Sequence, residues 1–212
     1  CEETAAEINA ACGEERVIAI ACNIGYKEQL QALVDETRER LGPIDTLIAN
    51  AGVNPFYGPM SEIPDEAFDK TMNSNLRSNH WLCQMVAPDM LEKGRGAIMI
   101  TASVGAFGPS DTLGTYNISK MADIALVRNL AMEWGPKGIR VNALCPGLIR
   151  TDFAKALWDN PEAAKRVTEQ TPMRRFGEAD DFKGIAVFVA SDASAYVTGQ
   201  ALTVCGGTHM FR

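Results

Sequence analysis

The sequence lacks the features that mark several large classes of protein. None of its apolar runs approaches the roughly 18 residues that a membrane span needs. It has only two histidines, His80 and His209, neither beside a cysteine, and it has no C-x-x-C pair, so no metal site is expected. The net charge of -7 argues against nucleic acids and anionic membrane surfaces as partners, because both attract positive proteins.

The cysteines are also few and scattered. Six are present, and they are Cys1, Cys12, Cys22, Cys83, Cys145 and Cys205. We interpret them as buried thiols in a reducing compartment, which predicts a cytoplasmic protein.

Short apolar runs alternate with helical patterns, and no repeat or linker divides the chain, which predicts one domain over residues 1–212. The predicted strands are 17–22, Thr46–Ala49, 97–101, 140–145 and Ala201–Val204. The predicted helices are 1–12, 26–41, 64–91 with a bend near Pro88, 116–134 and 178–190. Strands that are apolar throughout are typical of parallel sheets covered on both faces. The pattern therefore predicts an α/β fold, a doubly wound, Rossmann-like parallel sheet with helices on both faces.

In such a sheet, ligands bind beyond the carboxyl ends of the strands. The residues that follow predicted strands are Asn23, Asn50-Ala51-Gly52, Ser103 and Pro146-Gly147. These residues are therefore candidates for a binding site.

Tyr116 and Lys120 lie four residues apart on a predicted helix and so share one face. A nearby ammonium favours the phenolate and lowers the tyrosine pKa, so that the hydroxyl can exchange a proton with a substrate oxygen. In isolation such a pair is more often a solvated tyrosine beside a surface lysine. Ser103, 13 residues before Tyr116, offers a second hydroxyl, although a strand-end serine is often only a turn cap.

Taken together, these motifs resemble those of the short-chain dehydrogenases/reductases of the compact single-domain type. The resemblance extends from about Glu2 to Gly207. The matching motifs are Asn50-Ala51-Gly52, Asn75, Ser103, Tyr116-x-x-x-Lys120, Arg140-Val141-Asn142, Pro146-Gly147 with Thr151, and Thr198-Gly199-Gln200 before Gly206-Gly207.

The resemblance implies an NAD- or NADP-dependent hydride transfer to or from a ketone or secondary alcohol. Tyr116 would be the general acid/base, Lys120 would lower its pKa and hold the nicotinamide ribose, and Ser103 would polarise the substrate oxygen. Asn75, with Asn73 as the fallback, would hold a water in a proton relay.

The same resemblance implies the cofactor contacts. The nicotinamide would be lined by Pro146, Gly147, Ile149 and Thr151. On the adenosine side, Asn50 and Gly52 would pack against the ribose, and Asn23 stands where relatives usually have an aspartate near the adenine.

One family motif is missing, the glycine-rich turn that presents a helix N-terminus to the pyrophosphate. We therefore expect the first βαβ portion of the domain to precede Cys1, and we expect these 212 residues alone to be inactive, with little dinucleotide affinity. The determinants of NAD against NADP belong to that portion.

Two other functions compete with hydride transfer. The first is non-redox chemistry on the same fold, as in halohydrin dehalogenases, but that subgroup has arginine where this chain has Lys120. The second is a non-catalytic fragment or scaffold that cannot bind dinucleotide, and it would leave the set of site residues without a purpose.

The substrate pocket and the assembly are predicted in outline only. An apolar pocket for a small carbonyl or alcohol is predicted around Phe56, Tyr57, Phe107, Phe153, Leu157 and Trp158. By resemblance, helices 64–91 and 116–134 would pair in a homodimer, and the C-terminal strand region would complete a homotetramer.

Overall fold

The fold, described by a computed structural model for residues 1–210, is built on a parallel sheet. Its strands are β1 (Thr46–Ala49), β2 (Gly96–Thr101), β3 (Ile139–Pro146) and β4 (Ala201–Val204), in the order β1-β2-β3-β4. Every neighbouring pair is parallel. The predicted α/β class, with a doubly wound Rossmann-like sheet, is confirmed.

Helices connect the strands. They are α1 (Glu2–Cys12), α2 (Lys27–Leu41), α3 (Asp65–Met72), α4 (Ser78–Lys93), α5 (Gly114–Trp134), α6 (Lys155–Trp158), α7 (Pro161–Gln170) and α8 (Lys183–Ala190). Short 3-10 turns lie at Met60–Glu62, Val104–Phe107, Gly135–Lys137, Asp152–Ala154, Ala179–Phe182 and Asp192–Ser194. The boundaries predicted for β1 and β4 match those of the structure, and α6 and α7 are additions to the prediction.

The two faces of the sheet bury different side chains, because successive residues of a strand point to opposite sides. On one face Ile98 and Ile100 of β2 belong to the large core cluster formed with α2, α4 and α5. On the other face Met99 of β2 and Leu144 of β3 pack with Val189 of α8. Helices therefore cover both faces of the central strands, as the uniformly apolar strand sequences require.

The prediction of a strand at 17–22 is wrong. These residues form no ladder with any described strand, although several are half-buried and Cys22 packs against the core. The side chain of Asn9 in α1 instead bonds both backbone groups of Val17, at 2.8 Å to its N–H and 2.7 Å to its carbonyl. An apolar run becomes a strand only where a neighbouring strand offers backbone partners.

The predicted helix 64–91 is interrupted, but not at Pro88. Its α3 and α4 segments are joined by a π-helical turn, Asn73–Arg77, and α4 continues through Pro88 to Lys93. Wider π turns of this kind are frequent at functional sites. This one buries Ser74 and Asn75.

The six cysteines differ in how far they are buried. All six cysteines are free, but only Cys83 and Cys145 are buried, whereas Cys1 and Cys12 are exposed, so the expectation of uniformly buried thiols is wrong. Within residues 1–210 no helix has both the length and the apolar character needed to cross a membrane. The same residues contain no cluster of three or more histidine, cysteine, aspartate or glutamate side chains that would hold a metal ion.

Candidate active site

The predicted site residues collect at the carboxyl end of the sheet. Asn50 follows β1, Ser103 follows β2, and Gly147 follows β3. The hydroxyl of Thr101, the last residue of β2, donates to the Asn50 side-chain oxygen at 3.0 Å, which ties the first two strand ends together. The parallel register brings these separate motifs to one edge.

Tyr116 enters this edge from the first turn of α5. Its hydroxyl lies near enough to Ser103 for that side chain to act on its pKa, and Ser103 Oγ accepts from the backbone N–H of Gly105 at 3.1 Å. Ser103 thus caps the 3-10 turn Val104–Phe107 and also contacts the tyrosine. The structure shows Ser103 as a turn cap, and its action on the substrate oxygen stays a prediction.

The pKa of Tyr116 is raised, which contradicts the expectation that Lys120 lowers it. Burial has the largest effect, the hydrogen bond from Ser103 opposes it, and the negative charge of Asp123 raises the pKa further. The Tyr116 hydroxyl therefore binds its proton more tightly than the hydroxyl of a free tyrosine does.

Lys120 lies where the helical spacing predicts, but its charge is already partnered. Its Nζ lies 5.9 Å from the centre of the Tyr116 ring. The same Nζ donates to the backbone carbonyl of Thr101 at 2.8 Å and pairs with Asp123 Oδ2 at 3.3 Å. The ammonium of Lys120 is thus held by two oxygens behind the tyrosine ring.

Asn75 joins three parts of the site from the π turn. Its side-chain oxygen accepts from the backbone N–H of Val53 at 2.8 Å, and its Nδ2 donates to the Val53 carbonyl at 2.9 Å and to Ser119 Oγ at 3.0 Å. It is fully buried, whereas the fallback Asn73 is only half-buried. Asn75 therefore holds the loop after β1 against α5.

Sequence analysis missed Asp123 and Asn79. Asp123 of α5 is fully buried, and its Oδ1 accepts from Asn79 Nδ2 of α4 at 2.9 Å. Burial raises the pKa of the Asp123 carboxyl to about 6, against the opposing effects of Lys120 and Asn79. The available signal was spacing, since Asp123 lies three residues after Lys120 and Asn79 lies four after Asn75, so that each shares a helix face with a predicted site residue.

The loop after β3 closes the other side of the edge. Gly147 N donates to the Val204 carbonyl at 3.0 Å, and a Cβ at this glycine would lie 2.8 Å from the Cα of Cys205, so the close approach requires glycine. Ile149 bridges to Gly177. The backbone carbonyl of Thr151 accepts from the Trp158 indole at 2.8 Å.

Comparison with known proteins gives the family. The family model described as enoyl-(acyl carrier protein) reductase matches residues 2–209. The chain is 38% identical over 191 residues to dehydrogenase/reductase SDR family member 4 of Oryctolagus cuniculus, covering 90% of this chain and 74% of the relative. The chain belongs to the short-chain dehydrogenase/reductase family.

Solved structures of other short-chain dehydrogenases/reductases have the same fold. A gluconate 5-dehydrogenase from Burkholderia cenocepacia J2315, in complex with NADP and tartrate, superposes with a TM-score of 0.89 at 31% identity over 98% of this chain and 82% of its own. A 7α-hydroxysteroid dehydrogenase complexed with NADH and 7-oxo glycochenodeoxycholic acid gives a TM-score of 0.89 at 35% identity, over 97% of this chain and 80% of its own.

The family's adenine-side position, Asn23, is exposed and engaged in its own turn. Its side-chain oxygen accepts from Gly25 N at 3.0 Å, and its backbone N–H donates to the Gln29 side chain at 2.7 Å. The structure shows no contact between Asn23 and the Tyr116 cluster within the described residues. The adenine-side role of Asn23 stays a prediction of the family resemblance.

The predicted apolar pocket is assembled only in part. Phe56 lines a small recess that also includes Tyr116, and the ring of Phe153 lies 6.1 Å from the Tyr116 ring. Phe107 instead stacks on His209 at 4.3 Å, and Tyr57 is largely exposed. The Trp158 indole is held by the Thr151 carbonyl, and the Leu157 side chain lies outside what the structure describes.

Proposed function

We propose that this protein transfers a hydride between NAD or NADP and a ketone or secondary alcohol, with Tyr116 as general acid/base. The observation that carries the proposal is the arrangement of Tyr116, Ser103 and Lys120 at the carboxyl edge of a doubly wound sheet. The dinucleotides bound in the two solved relatives, NADP and NADH, support the choice of cofactor.

Each residue of the trio has a part that its position supports. In the reductive direction, the Tyr116 hydroxyl gives its proton to the oxygen of the substrate as the carbonyl carbon is reduced. Ser103 lies beside the tyrosine hydroxyl, and its single hydroxyl proton can turn to the same substrate oxygen as a second donor. Lys120 keeps a positive charge near the phenolate that forms. A nicotinamide, when bound, supplies or accepts the hydride.

The residues around Lys120 suit the ribose end of such a cofactor. An ammonium has three donors, and the described contacts to Thr101 and Asp123 use two of them, which leaves one for a ligand hydroxyl. Gly52 lies beside the Lys120 ammonium, and a Cβ at this position would lie 3.4 Å from both Lys120 Nζ and Asn75 Oδ1. The glycine therefore leaves this space open for a ligand. We assign Pro146, Gly147, Ile149 and Thr151 to the nicotinamide side, and Asn50, Gly52 and Asn23 to the adenosine side.

Asn75 has two roles in the proposed site. Its side chain positions the loop at Val53, as the hydrogen bonds show, and the relay water that the family resemblance implies stays a prediction. Asn75 is a positioning residue in the first part and a proton-path residue in the second.

We also propose a homodimer or homotetramer in the cytoplasm. The helices that would pair across a two-fold axis carry exposed apolar side chains, which are Phe68 on α3 and Ile118 and Met121 on α5. Six unpaired thiols suit a reducing compartment.

The proposal predicts dinucleotide-dependent carbonyl reduction. The protein expressed from its complete gene should oxidise NADH or NADPH in the presence of a panel of cyclic and aliphatic ketones, measured by the loss of reduced-dinucleotide absorbance. Halide release from a vicinal halohydrin without dinucleotide turnover would instead favour the dehalogenase alternative. A calorimetric titration of the 212-residue chain tests the accompanying expectation of slight affinity, and micromolar binding would contradict it.

A further inference from the structure

Lys120 belongs to a buried polar cluster with Asp123 and Asn79. Lys120 is 3% exposed, while Asp123 is 0% exposed and Asn79 is 3% exposed. Their bonds form a continuous line, in which Lys120 Nζ contacts Asp123 Oδ2 at 3.3 Å and Asn79 Nδ2 donates to Asp123 Oδ1 at 2.9 Å. The same Asn79 amide donates to the backbone carbonyl of Asn75 at 2.5 Å.

Burying such a cluster costs folding free energy, which suggests that it has a function. Removing two charges from water carries a desolvation penalty that the attraction between them offsets only in part. Apolar residues in place of both Lys120 and Asp123 would avoid that penalty. Asp123 is instead provided with a dedicated amide on the facing helix α4.

We infer that Asp123 is the counterion of Lys120 and that, through this lysine, it controls how readily the Tyr116 hydroxyl gives up its proton. The inference rests on the proposed function, because it assigns Asp123 the task of setting how much of the Lys120 charge acts on the tyrosine. Its two oxygens have separate partners, so the carboxylate is held in place by Asn79 while it holds the ammonium.

The charges around the cluster support this assignment. The Asp123 carboxylate acts on Tyr116 and raises its pKa, although burial is the larger cause. The other titratable groups that face the cluster are thiols, Cys83 of α4 and Cys145 of β3, whose pKa values burial raises to about 12 and about 11. Both thiols are therefore uncharged near neutral pH. Lys120 and Asp123 are therefore the charged members of the cluster, and Lys120 Nζ lies 5.9 Å from the Tyr116 ring.

The sign of the effect follows from the carboxylate's charge. Asp123 is ionised above its pKa of about 6, and in that state it offsets the ammonium and disfavours the phenolate. Asp123→Asn keeps the shape of the side chain and removes its charge, while one of the two accepting oxygens becomes a donating NH2 group. The pKa of Tyr116 should then fall by roughly one unit, the lower end of the range for the effect of a nearby charge.

The test follows the tyrosine directly and needs no cofactor or substrate. The protein is labelled with ¹³C at the tyrosine ζ carbon, the Tyr116 signal is assigned from its absence in Tyr116→Phe, and its shift is titrated with pH. We expect the Asp123→Asn midpoint to lie roughly one unit below that of the unaltered protein. In the unaltered protein we also expect a small inflection of the Tyr116 signal near pH 6, as Asp123 itself titrates. This second observation needs no variant and stands even where Asp123→Asn fails to fold.

Asn79→Ala is the matched control. It removes a hydrogen bond from the same carboxylate and perturbs the same packing, but it leaves the charge, which is fully ionised where tyrosine titrates. Its Tyr116 midpoint should be unchanged. Equal shifts in both variants, or no shift in Asp123→Asn together with no inflection near pH 6, would show a purely structural role and overturn the inference.

The outcome is separable from that of the proposed function. A Tyr116 shift without dinucleotide-dependent turnover would sustain the charge assignment and defeat the proposed reaction. The reductive direction requires the protonated hydroxyl, so the rate should fall at high pH. If turnover occurs but falls at the same pH in Asp123→Asn as in the unaltered protein, the proposed reaction stands and the charge assignment fails.

Discussion

Tyr116→Phe should reduce carbonyl reduction by about 10²- to 10⁴-fold, the range associated with a general acid or base. The substitution removes only the hydroxyl and its hydrogen bond to Ser103, so the loss of folding free energy should stay near 1 kcal/mol. Steady-state rates in the protein expressed from its complete gene, together with chemical denaturation, measure the two effects separately. The expected pattern is a large loss of kcat with a nearly unchanged unfolding midpoint.

Tyr196→Phe is the control for this substitution, because Tyr196 is fully exposed and far along the chain from the strand-end residues. It should leave both the rate and the stability unchanged. If Tyr116→Phe retained the unaltered rate, Tyr116 would not be the proton donor.

Gly138→Ala should cost about 2 to 4 kcal/mol of folding free energy. Gly138 joins the helix that carries Tyr116 and Lys120 to β3, with φ of 80° in the left-handed region. A Cβ at this position would also overlap the backbone carbonyl of Gly94, which cannot move aside as a flexible side chain can. The backbone strain and the overlap both act against folding, so the effect should appear as a lower midpoint in urea.

Gly135→Ala supplies a matched comparison from the same turn. Gly135 has helical angles, φ of -53° and ψ of -46°, and apart from its chain neighbours a Cβ there would meet nothing within 4 Å in the described chain. Alanine restricts the unfolded chain, but Pro136 follows and disfavours helical angles at a residue with a Cβ, so the two effects oppose each other and stability should change by less than about 1 kcal/mol. If the two variants lost stability equally, the turn would be less constrained than the structure shows.

The sequence was sufficient for the parts of the site that follow local rules. Helical spacing placed Tyr116 and Lys120 on one face, and the rule of strand ends placed Asn50, Ser103 and Gly147 at one edge. These predictions depend on one element at a time, or on the shared direction of parallel strands.

The parts that sequence analysis missed depend on contacts between elements. An aspartate three residues after a lysine is ordinarily a solvated pair on a helix surface, and only the facing helix α4, with Asn79, shows that Asp123 is buried. The pKa of Tyr116 moved in the unexpected direction for the same reason, because burial and Asp123 both act on it. The apolar run at 17–22 failed as a strand because no described strand pairs with its backbone.

The central claim is that Tyr116 supplies the proton while a hydride passes between the nicotinamide and the substrate carbon. The most direct measurement follows the hydride itself, using NADH or NADPH in which deuterium replaces the C4 hydrogen that is transferred. Mass spectrometry of the alcohol formed from a ketone should find the deuterium on the carbon that bears the new hydroxyl. An alcohol without deuterium, or ketone consumption without oxidation of the dinucleotide, would contradict the account.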